Sequence, residues 1–264
     1  MSWLGRLFQG RKNGAVSLAV DQRKRHACRR GFFEPLEPRL LLSAFHAVGP
    51  TLMVTASDGG SSAYGHTPAE IRQAYGINQI SFDGGAVAGS GAGQTIAIID
   101  PYNDPYFVSS GSPSFSGSDL YQFDQDFGLP NPPSFTKVNQ TGGTNYPGTG
   151  GGGYFGEVAL DVEWAHAVAP QANILLVEAN TNSSTDLYAA AQFAARQPGV
   201  SVVSMSYGSA ETNFETSYDT YFTTPSGHTG VTFVASTGDN GSPGYYPAYS
   251  PNVLAVGGDY AEYG

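Results

Sequence analysis

The sequence predicts an α/β fold, built on a mostly parallel sheet with flanking helices. Short apolar segments rich in valine and isoleucine recur along the chain, and helix-like segments alternate with them. Glycine, proline or aspartate bounds each apolar segment, which is typical of buried parallel strands. The predicted strands are residues 95–99, 173–177, 200–204, 232–236 and 253–256.

The helix candidates carry recognisable start and stop signals. The first follows Thr67, with Pro68 at its first position, and it ends at Gly76. Residues 139–155 are too rich in glycine for regular structure and predict a surface loop that borders the next helix and any site there. Three further helices are predicted at residues 118–127, 156–168 and 185–196.

Three regions follow one another along the chain. Residues 1–45 hold most of the 12 lysine and arginine residues and are interpreted as a targeting leader. The run Leu-Glu-Pro-Arg-Leu-Leu-Leu-Ser within it resembles a short leader of exported and surface proteins of certain bacteria, which implies a secreted or cell-surface location. A disordered basic tail with an apolar patch is the alternative. Residues 46–66 are interpreted as a linker and 67–264 as the folded domain.

Composition narrows the function classes. The formal net charge is −10 and the pI is about 4.7, which argues against nucleic acid as a partner and suits a protein that works in acid. The single cysteine, Cys28, lies in the leader, so the sequence predicts neither a disulfide framework nor a thiolate metal site. No stretch approaches the roughly 20 apolar residues that a membrane-spanning helix needs.

Two acids, Glu157 and Asp161, are one helical turn apart and so share a helix face. Each carboxylate raises the pKa of the other, so that one can hold a proton while the other accepts one. The alternative is an ordinary helix start, with Glu157 near the positive end of the helix dipole and Asp161 in solvent.

Two strand ends add further candidates. The segment Ser206-Tyr207-Gly208 follows a buried strand, where backbone groups can bind an extended peptide. Asp239 follows the next strand in a glycine-flanked loop, at the strand end where open α/β sheets bind ligands. A protonated Asp239 could donate a hydrogen bond to a developing oxyanion. A plain turn is the alternative reading of both segments.

In order and spacing, these segments resemble the sedolisin family of serine-carboxyl peptidases, which are similar to subtilisin in fold. The resemblance rests on the Glu-x-x-x-Asp helix, Ser-x-Ser-Tyr-Gly, Thr-Gly-Asp-x-Gly and Pro-Ala-x-Ser-Pro-x-Val-x-x-Val-Gly-Gly, and it spans residues 67–258. It implies that Glu157 is the general base, Asp161 orients it and Asp239 stabilises the oxyanion. Ser206, Tyr207 and Gly208 would then line the bound polypeptide substrate.

The sequence departs from the family in its nucleophile. The family's serine follows in a Gly-Thr-Ser turn, which does not occur before Gly264. We therefore expect an N-terminal portion of a secreted, acid-acting endopeptidase, with the C-terminal part of the fold missing. No cofactor or metal is expected, because the family's calcium site would lie beyond Gly264.

Two other functions stay open. One is a secreted peptide-binding protein that keeps the groove but is not catalytic. The other is a histidine-type subtilase, in which Asp100 would be the orienting acid. That reading needs a histidine at a helix start, whereas His166 lies in the middle of a predicted helix and is expected to be structural. The sequence leaves the oligomeric state open.

Overall fold

The computed structural model describes residues 66–239 and 242–258. In this part of the chain, a short antiparallel hairpin precedes a sheet of six parallel strands. The hairpin strands are β1 (Ser81–Phe82) and β2 (Val87–Ala88). The sheet strands are β3 (Thr95–Pro101), β4 (Phe135–Asn139), β5 (Asn173–Ala179), β6 (Val200–Met205), β7 (Thr232–Ser236) and β8 (Val253–Val256), in the spatial order β4-β5-β3-β6-β7-β8.

Helices cover both faces of this sheet. They are α1 (Pro68–Ala74), α2 (Asp119–Phe127), α3 (Phe155–Val168) and α4 (Ser184–Ala195). Side chains from α2 and α3 pack against one face of β3 and β5, where Ile98 and Leu176 are buried. Side chains from α4 pack against the other face, where Ile99 and Val177 are buried. The result is a three-layer α/β arrangement, as predicted from the alternation of strands and helices.

The local signals at the helix ends act as predicted. At α1, the Glu70 N–H donates to the Thr67 hydroxyl at 3.3 Å, and the Thr67 N–H donates to the Glu70 carboxylate at 2.8 Å. This reciprocal pair satisfies backbone donors that the first helical turn leaves free. The glycine-rich segment before α3 is a loop with one short 3₁₀ turn at Gly150–Gly152.

All five predicted strands are present, and β4 is the sheet strand that the sequence did not predict. Three of its five residues are polar, including the central Lys137, so the segment lacks the continuous apolar pattern of a buried strand. Lys137 is nevertheless only 4% exposed, because its ammonium group is bound inside the protein.

Parallel strands place their carboxyl ends at one edge of the sheet, which we call the carboxyl edge. The ends of β3, β5, β6 and β7 meet there because these neighbouring strands are parallel and stay paired up to their carboxyl ends. In the described residues, no helix is long and apolar enough to cross a membrane. The predicted leader and linker lie outside the described residues, so both stay predictions.

Candidate active site

Helix α3 carries the two acids of the Glu-x-x-x-Asp motif. It begins directly after the glycine-rich loop, which places Glu157 in its first turn. The backbone N–H groups of Glu157 and Val158 donate to the Tyr154 carbonyl at 3.1 and 3.0 Å. Val158 and Val162 are buried against the sheet and fix the rotation of the helix. The acid-bearing side of α3 therefore lies at the carboxyl edge.

Glu157 and Asp161 are both harder to ionise than ordinary carboxyl groups. Burial, followed by the charges of Asp161 and Asp239, raises the pKa of Glu157 to about 7. Burial raises the pKa of Asp161 to about 6, and a hydrogen bond from Ser206 opposes that rise. Between these values the pair holds about one proton, so one acid can be neutral while the other accepts a proton.

The residue that follows strand β6 holds Asp161 in place. The Ser206 hydroxyl, one residue beyond the strand, donates to Oδ1 of Asp161 at 2.7 Å. Oδ2 of Asp161 is shielded from water and has no hydrogen-bond partner among the described residues. This atom is thus available to a proton shared with a neighbouring acid.

Asp239 reaches the same place from β7. The Thr237 N–H donates to the Val256 carbonyl at 2.9 Å, which continues the pairing of β7 with β8. Gly238 then turns the chain with φ +92°, and a Cβ there would lie 2.1 Å from the Tyr245 ring. Asp239 is close enough to Glu157 to raise its pKa. The structure therefore brings Glu157, Asp161 and Asp239 together.

Asp100 is a further acid at this site that the main sequence interpretation did not include. It lies near the end of β3, is 1% exposed, and has no hydrogen-bond partner for Oδ2 among the described residues. Burial, followed by the charges of Asp161, Glu157 and Glu178, raises its pKa well above the usual range. The sequence places Asp100 at the end of a predicted strand, which is a signal for this site. That position predicts a role for Asp100 only in the histidine-type alternative.

Lys137 and Glu178 form an ion pair next to Asp100, which lies opposite Glu178 in the pairing of β3 with β5. Nζ of Lys137 lies 3.0 Å from Oε1 of Glu178, and both side chains are almost fully buried. Nζ also donates to Oδ1 of Asn103 at 2.7 Å and to the Phe107 carbonyl at 3.2 Å. Burial raises the pKa of Glu178 to about 7 despite the opposing effect of Lys137. This pair was not predicted, because β4 was not predicted.

Tyr207 and Gly208 follow Ser206 beside the acids, and burial, followed by Tyr188 and the charge of Asp100, raises the pKa of Tyr207. The Tyr207 ring packs into the α4 side of the core, and its hydroxyl donates to the Leu187 carbonyl at 3.5 Å. A Cβ at Gly208 would lie 2.7 Å from Cβ of Tyr245. The backbone is thus the part of this segment that can meet a substrate, and the predicted contact with substrate stays a prediction.

His166 is structural, as expected. It is fully buried in α3, and its Nε2 lies 2.8 Å from the Pro130 carbonyl and 3.1 Å from Oδ1 of Asp124. Those neighbours are on the α2 side of the helix. The histidine-type alternative would require a histidine among the acids of the carboxyl edge, and His166 is not there.

Comparison with known proteins agrees with the fold. Residues 91–260 match the family model described as the subtilase family. The chain is similar to kumamolisin of Bacillus sp. (strain MN-32), with 32% identity over 207 residues that cover 73% of this chain and 34% of kumamolisin. A similar solved structure is Pseudomonas sedolisin, a serine-carboxyl proteinase complexed with two molecules of pseudo-iodotyrostatin. Its TM-score is 0.50 at 27% identity, covering 74% of this chain and 54% of that one. The chain thus spans about a third to a half of these relatives.

Proposed function

Because this chain belongs to the subtilase family of serine peptidases and, within it, to the sedolisin group, we propose that it carries the acid–base groups of a peptidase that hydrolyses polypeptides. The observation that carries the proposal is the meeting of Glu157, Asp161 and Asp239 at the carboxyl edge. They come from two elements, α3 and the loop after β7, yet they interact electrostatically. Acids that lie this close together, with no basic partner among the described residues, repel one another, and general acid–base chemistry gives them a use.

The proposed reaction is acyl transfer through a serine, which the family carries in a Gly-Thr-Ser turn and which is not assigned to any residue of 1–264. As the serine oxygen bonds to the scissile carbonyl carbon, its proton passes to the carboxylate of Glu157. Asp239 takes the role of hydrogen-bond donor to the oxygen that becomes negative, for which its carboxyl group has to be neutral in this step. When the carbon–nitrogen bond breaks, Glu157 returns the proton to the leaving amine. Water then releases the acyl group by the same route, while Asp161 orients Glu157 and shares its proton.

The pKa values bear on the working pH. A base has to lose its proton before it can accept another, and the Glu157–Asp161 pair loses its protons at about 6 and about 7. We therefore propose an activity that increases between about pH 6 and about pH 7, on the weakly acidic side of neutrality, as the pair loses its protons. The net charge of −10 at pH 7 supports an acidic working environment, because self-repulsion falls as the pH approaches the pI of about 4.7.

Export to the cell surface or medium is part of the proposal. It is supported by the leader motif in residues 1–45, which resembles bacterial export leaders. An acid-acting peptidase outside the cell would also be separated from cytoplasmic proteins. Mass spectrometry of the secreted fraction, which would identify peptides from residues 67–264, tests this point.

The test of the activity is peptide cleavage, from pH 3 to pH 8, by the protein as its whole gene encodes it. We expect Glu157→Gln to lower kcat/KM by about 10²- to 10⁴-fold, the usual contribution of a general base. The matched control is Glu163→Gln, which changes another acid of α3 that faces the acids of α2 rather than the site. Equal activity in wild type and Glu157→Gln would contradict the proposal.

The second candidate is a peptide-binding protein without catalysis. It is favoured by one observation: Gly208, just beyond β6, is exposed, so the backbone there can pair with an extended peptide even where no bond is cleaved. The same assay separates the two functions. Peptides that bind but are recovered uncut at every pH would favour the binding protein.

A further inference from the structure

Two tyrosines, Tyr102 and Tyr154, pack together beside the chain segments that carry Asp100 and Glu157. Their ring centroids are 5.2 Å apart and the rings are inclined at 44°. Tyr102 follows β3, and its N–H donates to the Ala179 carbonyl at 2.8 Å, which extends the pairing with β5. Tyr154 precedes the first turn of α3. We call these two residues the tyrosine pair.

Each residue of the tyrosine pair lies close in the chain to one of the acids. The carbonyl of Tyr154 accepts the N–H of Glu157, and Tyr102 is two residues beyond Asp100. Asp100 in turn is near enough to Glu157 for their charges to interact. A peptide placed against Glu157 would therefore pass beside the tyrosine pair.

The backbone of Tyr102 is held in an unfavourable conformation to place its ring there. Its φ is +67°, a left-handed value that is costly for a residue with a bulky side chain. Gly150 in the glycine-rich loop lies close against the ring, since a Cβ on it would be 2.5 Å from Cδ2 of Tyr102. Backbone strain of this kind persists only where the surrounding contacts maintain it. It is found most often at functional sites.

Asn182, in the loop after β5, binds both hydroxyl groups. The Tyr102 hydroxyl donates to Oδ1 of Asn182 at 3.2 Å, and Nδ2 of Asn182 donates to the Tyr154 hydroxyl at 2.8 Å. Both rings are half-buried, so part of each is open to solvent. Since the hydroxyl groups are already bound, the ring surfaces are what the tyrosine pair offers to a ligand. Such surfaces favour apolar and, above all, aromatic partners.

We propose that the tyrosine pair forms a specificity subsite for one aromatic or large apolar side chain of a bound peptide, close to the bond that is cleaved. The inference rests on the proposed function and adds the class of substrate side chain to it. Asn182 acts as a positioning residue, because it holds the rings through their hydroxyl groups and leaves their surfaces free.

The test measures peptide binding rather than cleavage. Fluorescence anisotropy at pH 5 gives the Kd of labelled eight-residue peptides that differ at one position, which carries phenylalanine, leucine, alanine, lysine or glutamate in turn. The peptides are titrated with the wild-type protein, with Tyr154→Ala and with Tyr154→Phe, which keeps the ring and loses the hydroxyl. The matched control is Tyr75→Ala, because Tyr75 is 54% exposed at the end of α1, remote from the carboxyl edge.

We expect wild type to prefer phenylalanine or leucine over alanine at one position by roughly threefold to tenfold, the range that a ring contact supports. Tyr154→Ala should abolish this preference, whereas Tyr154→Phe and Tyr75→Ala should retain it. Two results would overturn the subsite but not the proposed function. In the first, the wild type prefers phenylalanine or leucine and Tyr154→Ala leaves that preference unchanged. In the second, the wild type prefers lysine or glutamate. Failure of every peptide to bind wild type would contradict both.

Discussion

The Ser206 hydroxyl donates a 2.7 Å hydrogen bond to Oδ1 of Asp161, which ties the end of β6 to the middle of α3. This hydrogen bond connects the Glu-x-x-x-Asp motif with the Ser-x-Ser-Tyr-Gly motif, which are far apart in the sequence. It stabilises the ionised form of Asp161 and so opposes the rise in pKa that burial causes. Ser206 therefore helps to set which acid of the Glu157–Asp161 pair holds the proton.

Ser206→Ala should raise the pKa of Asp161, because the burial effect remains and the opposing hydrogen bond is lost. Carbon-detected NMR of the side-chain carboxyl groups measures this pKa directly. Ser201→Ala is the matched control, since Ser201 lies near the other end of β6 and binds the Thr95 carbonyl. A pKa of Asp161 that is the same in Ser206→Ala and wild type would contradict the assigned role of this hydrogen bond.

The stability of the folded protein should fall as the pH rises from about 4 to about 8. Burial raises the pKa of Glu163 to about 8, of Glu157 and Glu178 to about 7, and of Asp104 and Asp161 to about 6. Their unfolded values are near 4, so the folded state binds more protons across this window, and stability decreases as those protons leave. Thermal unfolding at each pH measures the effect. A Tm that is constant or increases from pH 4 to pH 8 would contradict it.

Glu163→Gln isolates one part of that pH dependence. Burial raises the pKa of the wild-type Glu163, and so do the charges of four nearby acids. These acids are Asp119, Asp124, Asp104 and Asp126. The ionised form of Glu163 is therefore unfavourable in the folded protein. The substitution should raise the Tm at pH 8 and leave it nearly unchanged at pH 4, where the wild-type residue is neutral. Equal shifts at both pH values would show that the effect is not one of charge.

Lys137→Met should destabilise the protein strongly at neutral pH, because it leaves the carboxylate of Glu178 buried without its cation. Removing one partner of a buried ion pair typically costs about 3–5 kcal/mol. The loss should be smaller at pH 4, where Glu178 is protonated, and smaller in the double variant with Glu178→Gln. Urea unfolding at both pH values checks this. A loss that is independent of pH and of residue 178 would contradict the ion-pair account.

Gly238→Ala should cost more stability than Gly93→Ala. Both glycines have a left-handed φ, +92° and +77°, so an alanine strains either backbone by about 1 kcal/mol. Only the Cβ at residue 238 meets a neighbour, the Tyr245 ring, whereas nothing lies within 4 Å of a Cβ at residue 93. The difference in the free energy of unfolding between the two variants isolates the clash. Equal costs would mean that the loop before Asp239 is not tightly packed.

The sequence predicted the fold well because its strands carry local signals. Valine and isoleucine mark β5 and β6, and the caps at Thr67 and Gly76 mark the ends of the first helix. The strand β4 was not predicted, because its buried Lys137 is polar in sequence and is explained only by a partner 41 positions away in the chain numbering, Glu178. Local patterns cannot report such a long-range pair.

The site was predicted in part for the same reason. Glu157 and Asp161 share a helix turn, so their mutual effect follows from spacing alone. The approach of Asp239 was inferred from a resemblance to a known family, and the electrostatic interaction with Glu157 supports it. Asp100 and Glu178 were not included, because their contribution depends on how β3 and β5 lie beside α3.

The most direct test of the account is the pKa of Glu157, measured by carboxyl NMR in wild type and in Asp161→Asn. We predict about 7 in wild type, and a lower value in Asp161→Asn, because the substitution removes a neighbouring negative charge that raises the pKa. The ascending limb of the pH dependence of kcat/KM should move to lower pH in the same variant. A pKa of Glu157 near 4.5 in both proteins would contradict the claim that these acids form a coupled general base.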